Sequence, residues 1–149
     1  MSGPADLRIR PANPEERDAL EALQWRASLA NEGDRPHLEA HRDAIHLPLE
    51  QIERGEVFVA EMDGRLTGFS AIMADNGRLE LDGLFVEPDR WRQGIGAALV
   101  EVAAQEARRR GLAMTVVANQ AARGFYEKCG FVLEGPAETR FGPAIRMLR

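Results

Sequence analysis

Residues 79–99 read LELDGLFVEPDRWRQGIGAAL, and this stretch decides the fold. Leu79 to Val86 is an eight-residue run of apolar residues broken by Glu80, Asp82 and Gly83, which predicts a strand, and Pro88 stops it. From Gly94 the period changes to helical: Ile95, Leu99, Val102, Ala103 and Ala107 fall on a stripe that runs to Arg110, with Gly111 as the C-terminal cap. A strand that turns through Arg92-Gln93-Gly94-Ile95-Gly96 into a helix places unpaired helix amides and the positive end of the helix dipole next to glycines. Glycines admit close backbone approach, so the arrangement suits a phosphate or pyrophosphate. Two glycines before a helix also serve a plain tight turn, so this alone does not decide function.

Working outward, Val57–Met62 and Leu66–Met73 flank Asp63-Gly64, a hairpin signal, and Asn76-Gly77 turns the chain into the strand above. Upstream, residues 7–10 form an opening strand. Asn13-Pro14-Glu15-Glu16 predicts a capped helix start, with Leu20, Leu23, Ala27 and Ala30 on one face and Asn31 and Gly33 at its end. A second helical region over 36–54 carries Leu38, Ile45, Leu49 and Ile52, with Pro48 kinking or dividing it. The loop 31–35 between the two helices either borders a substrate pocket or lies over simple sheet packing. Downstream come a strand over 112–118, a short helix over 119–129 with Ala122, Phe125, Tyr126 and Cys129 on one stripe, and strands over 131–134 and 144–148. Gly130 and Phe131 suit a helix ending closed by a hydrophobic contact. The expected order is β-αα-βββ-α-β-α-ββ: a mixed, mostly antiparallel α/β sheet flanked by helices, in one domain over 1–149.

The 149 residues are long enough for a core without staples, and 44% hydrophobic with 29% charged residues is an ordinary globular balance. The single cysteine, Cys129, makes no internal disulfide, and no run nears the roughly 20 apolar residues of a membrane helix. The N-terminal residues lack the apolar stretch of a secretory signal, so the expected setting is the cytoplasm, without membrane. A net charge of −5 disfavours nucleic-acid partners and is compatible with a cationic substrate. Leu99 stands where a dinucleotide fingerprint wants a small residue, and the Gly-Lys-Ser/Thr of a P-loop is missing.

Residues 91–96, WRQGIG, together with Asn119-Gln120-Ala121-Ala122-Arg123-Gly124-Phe125-Tyr126, resemble the GNAT superfamily of N-acetyltransferases. The first segment is similar to the family's Q/R-x-x-G-x-G/A, with Trp91 where Gln or Arg is usual; the second is similar to its N-x-x-A-x-x-F-Y segment one helix and one strand later. The resemblance implies acetyl-CoA as cosubstrate, no metal, a small-molecule or peptide amine as acceptor, and the homodimer common among relatives. It implies that pantetheine lies along Leu84, Phe85 and Val86 and that the Val86 amide polarises the thioester carbonyl. By the same resemblance the amides of Gly94, Ile95, Gly96, Ala97 and Ala98 are expected to cradle the pyrophosphate, with Arg92 and Gln93 at its edge. It implies further that Asn119, Ala122 and Phe125 approach the cofactor and that Tyr126 is the general acid, although beside Phe125 it also reads as a core aromatic. A non-catalytic acyl-CoA-binding or sensor module of the same fold is the alternative.

The chemistry sets its own demand. An ammonium with a pKa of roughly 10.4 is almost wholly protonated at pH 7, which costs the free amine about 4–5 kcal/mol. A general base relieves that cost. Glu80, six residues before Val86, sits at the offset of the glutamate base in the family's histone-acetylating branch. Asp82 shares its strand face by alternation, and a bulge at Gly83 would re-aim the pair. His37 and His41 are spaced as zinc ligands but lack a third and read as a solvated helix face. Trp25 and Arg26 reach either substrate or core.

Overall fold

The computed structural model describes residues 6–30, 35–40, 45–139 and 142–149. The Asn31–Gly33 helix ending, the loop over 31–34 and His41 lie outside the described residues, as do the side chains of Arg35, His37 and Leu38.

The two glycine turns organise the chain. Asp63 and Gly64 both have positive φ, at 53° and 73°, and so do Asn76 and Gly77, at 51° and 76°. Two left-handed residues in succession make the turn whose twist matches antiparallel strands. They join β2 (Val57–Met62), β3 (Arg65–Asp75) and β4 (Arg78–Val86). With β1 (Arg8–Pro11), β5 (Ala113–Ala118), β6 (Val132–Thr139) and β7 (Gly142–Leu148), the sheet order is β1-β2-β3-β4-β5-β7-β6. The β4–β5 ladder is parallel, and the β1–β2, β2–β3, β5–β7 and β6–β7 ladders are antiparallel. The helices are α1 (Arg17–Ala30), α2 (Arg35–Ala40), α3 (Leu49–Glu53), α4 (Ile95–Arg110) and α5 (Arg123–Lys128). This is the mixed, mostly antiparallel sheet with helices that the sequence predicts. Among the described residues no helix is long and apolar enough to cross a membrane.

Contacts group the chain into two compact units, Met1–Ala71 with Gly83–Leu99 and Ile72–Asp82 with Val100–Arg149. In the first, β2 alternates between two clusters. Val57 and Val59 pack with Leu20, Leu23 and Phe69, while Ala60 packs with Met62, Ile95 and Leu99. Leu20 and Leu23 are wholly buried, each stabilising the unit by about 1.5–3 kcal/mol. Pro14–Glu16 is a tight 3-10 turn rather than the first turn of α1. The Asn13 amide donates to the Glu16 carboxylate at 2.8 Å, and Arg10 grips that carboxylate at 2.8 and 3.0 Å, holding it below the usual range. Leu20, Leu23 and Ala27 form the buried face, but Ala30 is exposed. Pro48 divides the second helical region: Ile45 is in coil, Pro48 caps α3, and Ile52 is buried.

In the second unit, Glu80 pairs with Thr115, and Thr115 with Leu148 across the next ladder. The buried helix positions are Val100, Ala103, Ala104 and Ala107; Val102, expected on the stripe, is only partly buried, because the stripe advances one position. The final strands are longer than their apolar centres suggested. Thr139 Oγ1 donates to the Gly142 carbonyl at 2.9 Å, which extends the pairing into polar residues.

Candidate active site

In the first unit the end of β4 is fixed by its backbone. Leu84 and Val86 pack against the cluster of Ile95 and Leu99, while Phe85 packs with Phe69, ring centroids 5.3 Å apart. Their side chains serve the core, so the strand offers a ligand its backbone. The Glu87 amide donates to the Thr67 carbonyl at 2.8 Å. Because a trans peptide points its N–H and C=O opposite ways, the Val86 carbonyl faces away from Thr67. There it accepts the Trp91 indole N–H at 2.8 Å. Gly68 is what allows β3 to lie so close: a Cβ there would fall 2.8 Å from the Phe85 carbonyl oxygen.

The chain then turns through Pro88–Arg90 and enters the glycine loop. Arg92 has φ 65° and Gly94 φ 83°, so two of the residues preceding the helix are left-handed. A side chain at Gly94 would meet nothing within 4 Å, so the space over this turn is open. Arg92, Gln93, Gly94 and Ala97 are exposed, Gly96 and Ala98 partly buried, and Ile95 buried. The Ala98 amide donates to the Gly94 carbonyl at 3.0 Å and closes the first helical turn. Helix geometry leaves the amides of Gly94, Ile95, Gly96 and Ala97 without a carbonyl partner inside the helix. Of the five amides expected to cradle a pyrophosphate, that of Ala98 is thus taken up within the helix. Open space, left-handed backbone and these amides fit a pyrophosphate.

Glu87 was not singled out by sequence, yet it is the most heavily engaged carboxylate here. Arg26 clasps it at 2.6 and 3.0 Å, and Arg65 lies 3.9 Å away and also reaches Asp89 at 3.4 Å. Arg26 is bound to Glu87 at the end of β4, and its guanidinium is held above its ordinary pKa by that bond. No local pattern signals a pair 61 residues apart.

The second unit holds the other candidates. Asn119 caps the turn Gln120–Ala122: its Oδ1 accepts the Ala122 amide at 3.0 Å. Tyr126 is buried with Phe125 and Phe131 edge-on to it, centroids 5.0 and 5.5 Å away. Burial, and secondarily Cys129, push its phenol up to about 12. Phe125 was placed on the buried stripe but is 37% exposed, and Ala122 is partly buried, because α5 is a turn and a half and only Tyr126 faces inward. Cys129 is half-buried with its thiol pushed up by burial, which suits packing rather than nucleophilicity. The Phe131 amide donates to the Tyr126 carbonyl at 3.0 Å, closing the helix as the Gly130-Phe131 pair predicts.

Glu80 is partly buried. Its pKa is raised first by burial and then by Asp82 and Asp75, against the opposing charge of Arg146. Asp82 is exposed, and a Cβ at Gly83 would sit 3.0 Å from the Phe85 ring. A half-desolvated carboxylate among like charges holds a proton at higher pH than a solvated one, as a general base requires.

A mixed sheet with a strand–glycine–helix turn open to an anion is the framework of an enzyme that holds a phosphate-bearing cosubstrate. The acetyltransferase (GNAT) family model matches residues 17–131, and the chain belongs to that family. It is 30% identical over 146 residues to the probable N-acetyltransferase Rv2775 of Mycobacterium tuberculosis, covering 89% of this chain and 83% of the relative. Its fold is shared with the PaiA N-acetyltransferase of Thermoplasma acidophilum in complex with coenzyme A, at TM-score 0.78 and 21% identity over 95% of this chain and 98% of that one. A GCN5-related N-acetyltransferase of Rhodopseudomonas palustris superposes at TM-score 0.76 and 21% identity, over 100% and 98%. The chain is thus an enzyme of acetyl transfer with acetyl-CoA as cosubstrate.

Proposed function

We propose that the chain acts as a single acetyltransferase domain that moves the acetyl group of acetyl-CoA directly to a primary amine within a ternary complex. The family match, which runs from α1 to the end of α5, supports one domain. One observation carries the cofactor reading: the end of β4 keeps its side chains in the core and leads, through a left-handed turn, to a helix start with unpaired amides.

On this reading Gly94, Ile95, Gly96 and Ala97 donate to the pyrophosphate, with Arg92 and Gln93 at its edge. The Val86 amide polarises the thioester carbonyl, and a donor aimed where charge develops gains most in the transition state. Asn119, Ala122 and Phe125 line the cofactor. Glu80, its proton affinity raised by burial and by Asp82 and Asp75, takes the ammonium proton directly or through water. Tyr126 donates a hydrogen bond to the leaving sulfur. With one cysteine in the whole chain, the cytoplasm is the compartment we propose. The test is an acceptor screen with acetyl-CoA, read as free thiol release, across polyamines, aminoglycosides, amino acids, peptide N-termini and protein lysines. Thiol release with none of these, beside intact CoA binding, would favour an acyl-CoA sensor instead.

A further inference from the structure

We infer that Trp91 is a positioning residue that holds the last peptide of β4 in register for the Val86 amide to polarise the thioester, an inference that rests on that role for Val86. The peptide between Val86 and Glu87 is held from both sides. Its N–H is bound to the Thr67 carbonyl at 2.8 Å and its C=O to the Trp91 indole at 2.8 Å. The carboxylate that follows, on Glu87, is clasped by Arg26. In an extended residue the N–H and C=O project to the same side of the strand, as the doubly bonded pairs of an antiparallel ladder require. The Val86 amide therefore projects to the side on which Trp91 fixes the Val86 carbonyl.

An indole has one donor and no acceptor, so it can fix that carbonyl without competing for the neighbouring amide. The ring is also poorly placed for a packing role, since Trp91 is 45% exposed. Without the indole bond the carbonyl turns to water, and the peptide is left with Thr67 as its anchor. An oxyanion donor acts through preorganisation, so freedom at this peptide, passed through the Val86 dihedrals to the neighbouring peptide that carries the Val86 N–H, weakens polarisation more than it weakens binding.

The experiment uses the full chain with acetyl-CoA labelled with 13C at the thioester carbonyl, followed by isotope-edited infrared spectroscopy, with affinity and thermal midpoint measured in parallel. Binding to wild type lowers the carbonyl stretching frequency. In Trp91→Phe that displacement shrinks by about half or more, because the donor is no longer held in aim, while affinity stays within roughly threefold. A full displacement in Trp91→Phe overturns the inference and leaves the Val86 role standing. So does a displacement lost only in step with affinity, which would make Trp91 a cofactor contact. Wild type that binds the label without any displacement removes the Val86 role, and this inference with it.

Discussion

Replacing Tyr126 by Phe removes one hydroxyl and leaves the ring between Phe125 and Phe131. Its expected effect follows from the phenol's surroundings. Burial raises the phenol to about 12, whereas an ordinary thiol lies near 8.5. Full transfer of the phenol proton to the leaving thiolate is then uphill by roughly 3.5 units, or about 5 kcal/mol. The buried hydroxyl is better suited to donating a hydrogen bond to the sulfur as it becomes negative. Such a bond to a charged partner is worth about 1.5–3 kcal/mol, so Tyr126→Phe should slow turnover roughly 10- to 150-fold, toward the low end of what a complete general acid supplies.

Acetyl-CoA affinity should hold within a few fold, and the thermal midpoint at neutral pH should scarcely move. A second measurement isolates the hydroxyl. The folded phenol binds its proton more tightly than the unfolded one, so its stabilisation is complete below pH about 10 and is lost as pH rises through about 12. Over that window wild type should lose roughly 3 kcal/mol that Tyr126→Phe does not lose. The assay is initial thiol release with the acceptor found by screening, beside chemical unfolding at pH 8 and above 11. Wild-type turnover in a folded Tyr126→Phe protein would refute the role of the hydroxyl.

Gly96→Val should abolish the rise in thermal midpoint that CoA gives wild type, since binding to the native state alone is what stabilises it; a folded variant with unchanged affinity would move the pyrophosphate elsewhere. Glu80→Gln should lower turnover most at low pH, where more of the amine is protonated, with the deficit shrinking in alkaline buffer; an equal loss at every pH would make the residue positional. Because the folded carboxylate of Glu80 binds its proton more tightly than the unfolded one, its ionisation costs stability as pH rises. Glu80→Gln should therefore melt higher than wild type at pH 7, with the advantage gone below the usual carboxylate range. Gly68→Ala should destabilise by about 1–3 kcal/mol, because its Cβ would meet the Phe85 carbonyl at 2.8 Å; an unshifted melting curve would show that β3 yields freely.

The strands and turns were legible because their determinants are local. Asp63-Gly64 and Asn76-Gly77 carry the left-handed conformations their turns need, and the change from strand period to helical period marks the glycine loop. What escaped sequence was set by partners outside the element that carries the residue. The Arg26–Glu87 clasp joins α1 to the end of β4, so neither residue announces it. The 3-10 turn at Pro14–Glu16 depends on Arg10 gripping Glu16, and a local cap signal does not reveal how tightly the turn is wound. Phe125 looked buried because it shares a stripe with Tyr126, yet on a helix of six residues burial is decided by what lies opposite, and only Tyr126 has Phe131 against it.

The same distinction explains why the cofactor was readable and the acceptor was not. Cofactor recognition is proposed to rest on main-chain amides, which every residue has, so its signal in sequence is the residue that makes amides accessible: glycine at 94 and 96. Acceptor recognition would rest on side-chain charge, and charge cuts both ways. Glu80, Asp82 and Asp75 together attract an ammonium, but attraction stabilises the ammonium and opposes its deprotonation. A base in such surroundings gains only if its own proton affinity rises with that of the amine. Burial is the largest cause of the rise at Glu80, ahead of Asp82 and Asp75. Burial penalises the charged carboxylate, and it penalises an ammonium brought beside it as well, so it lifts the base without lifting the amine through desolvation. On the proposed mechanism, that asymmetry favours Glu80 over the exposed Asp82 as the carboxylate that takes the proton, directly or through water.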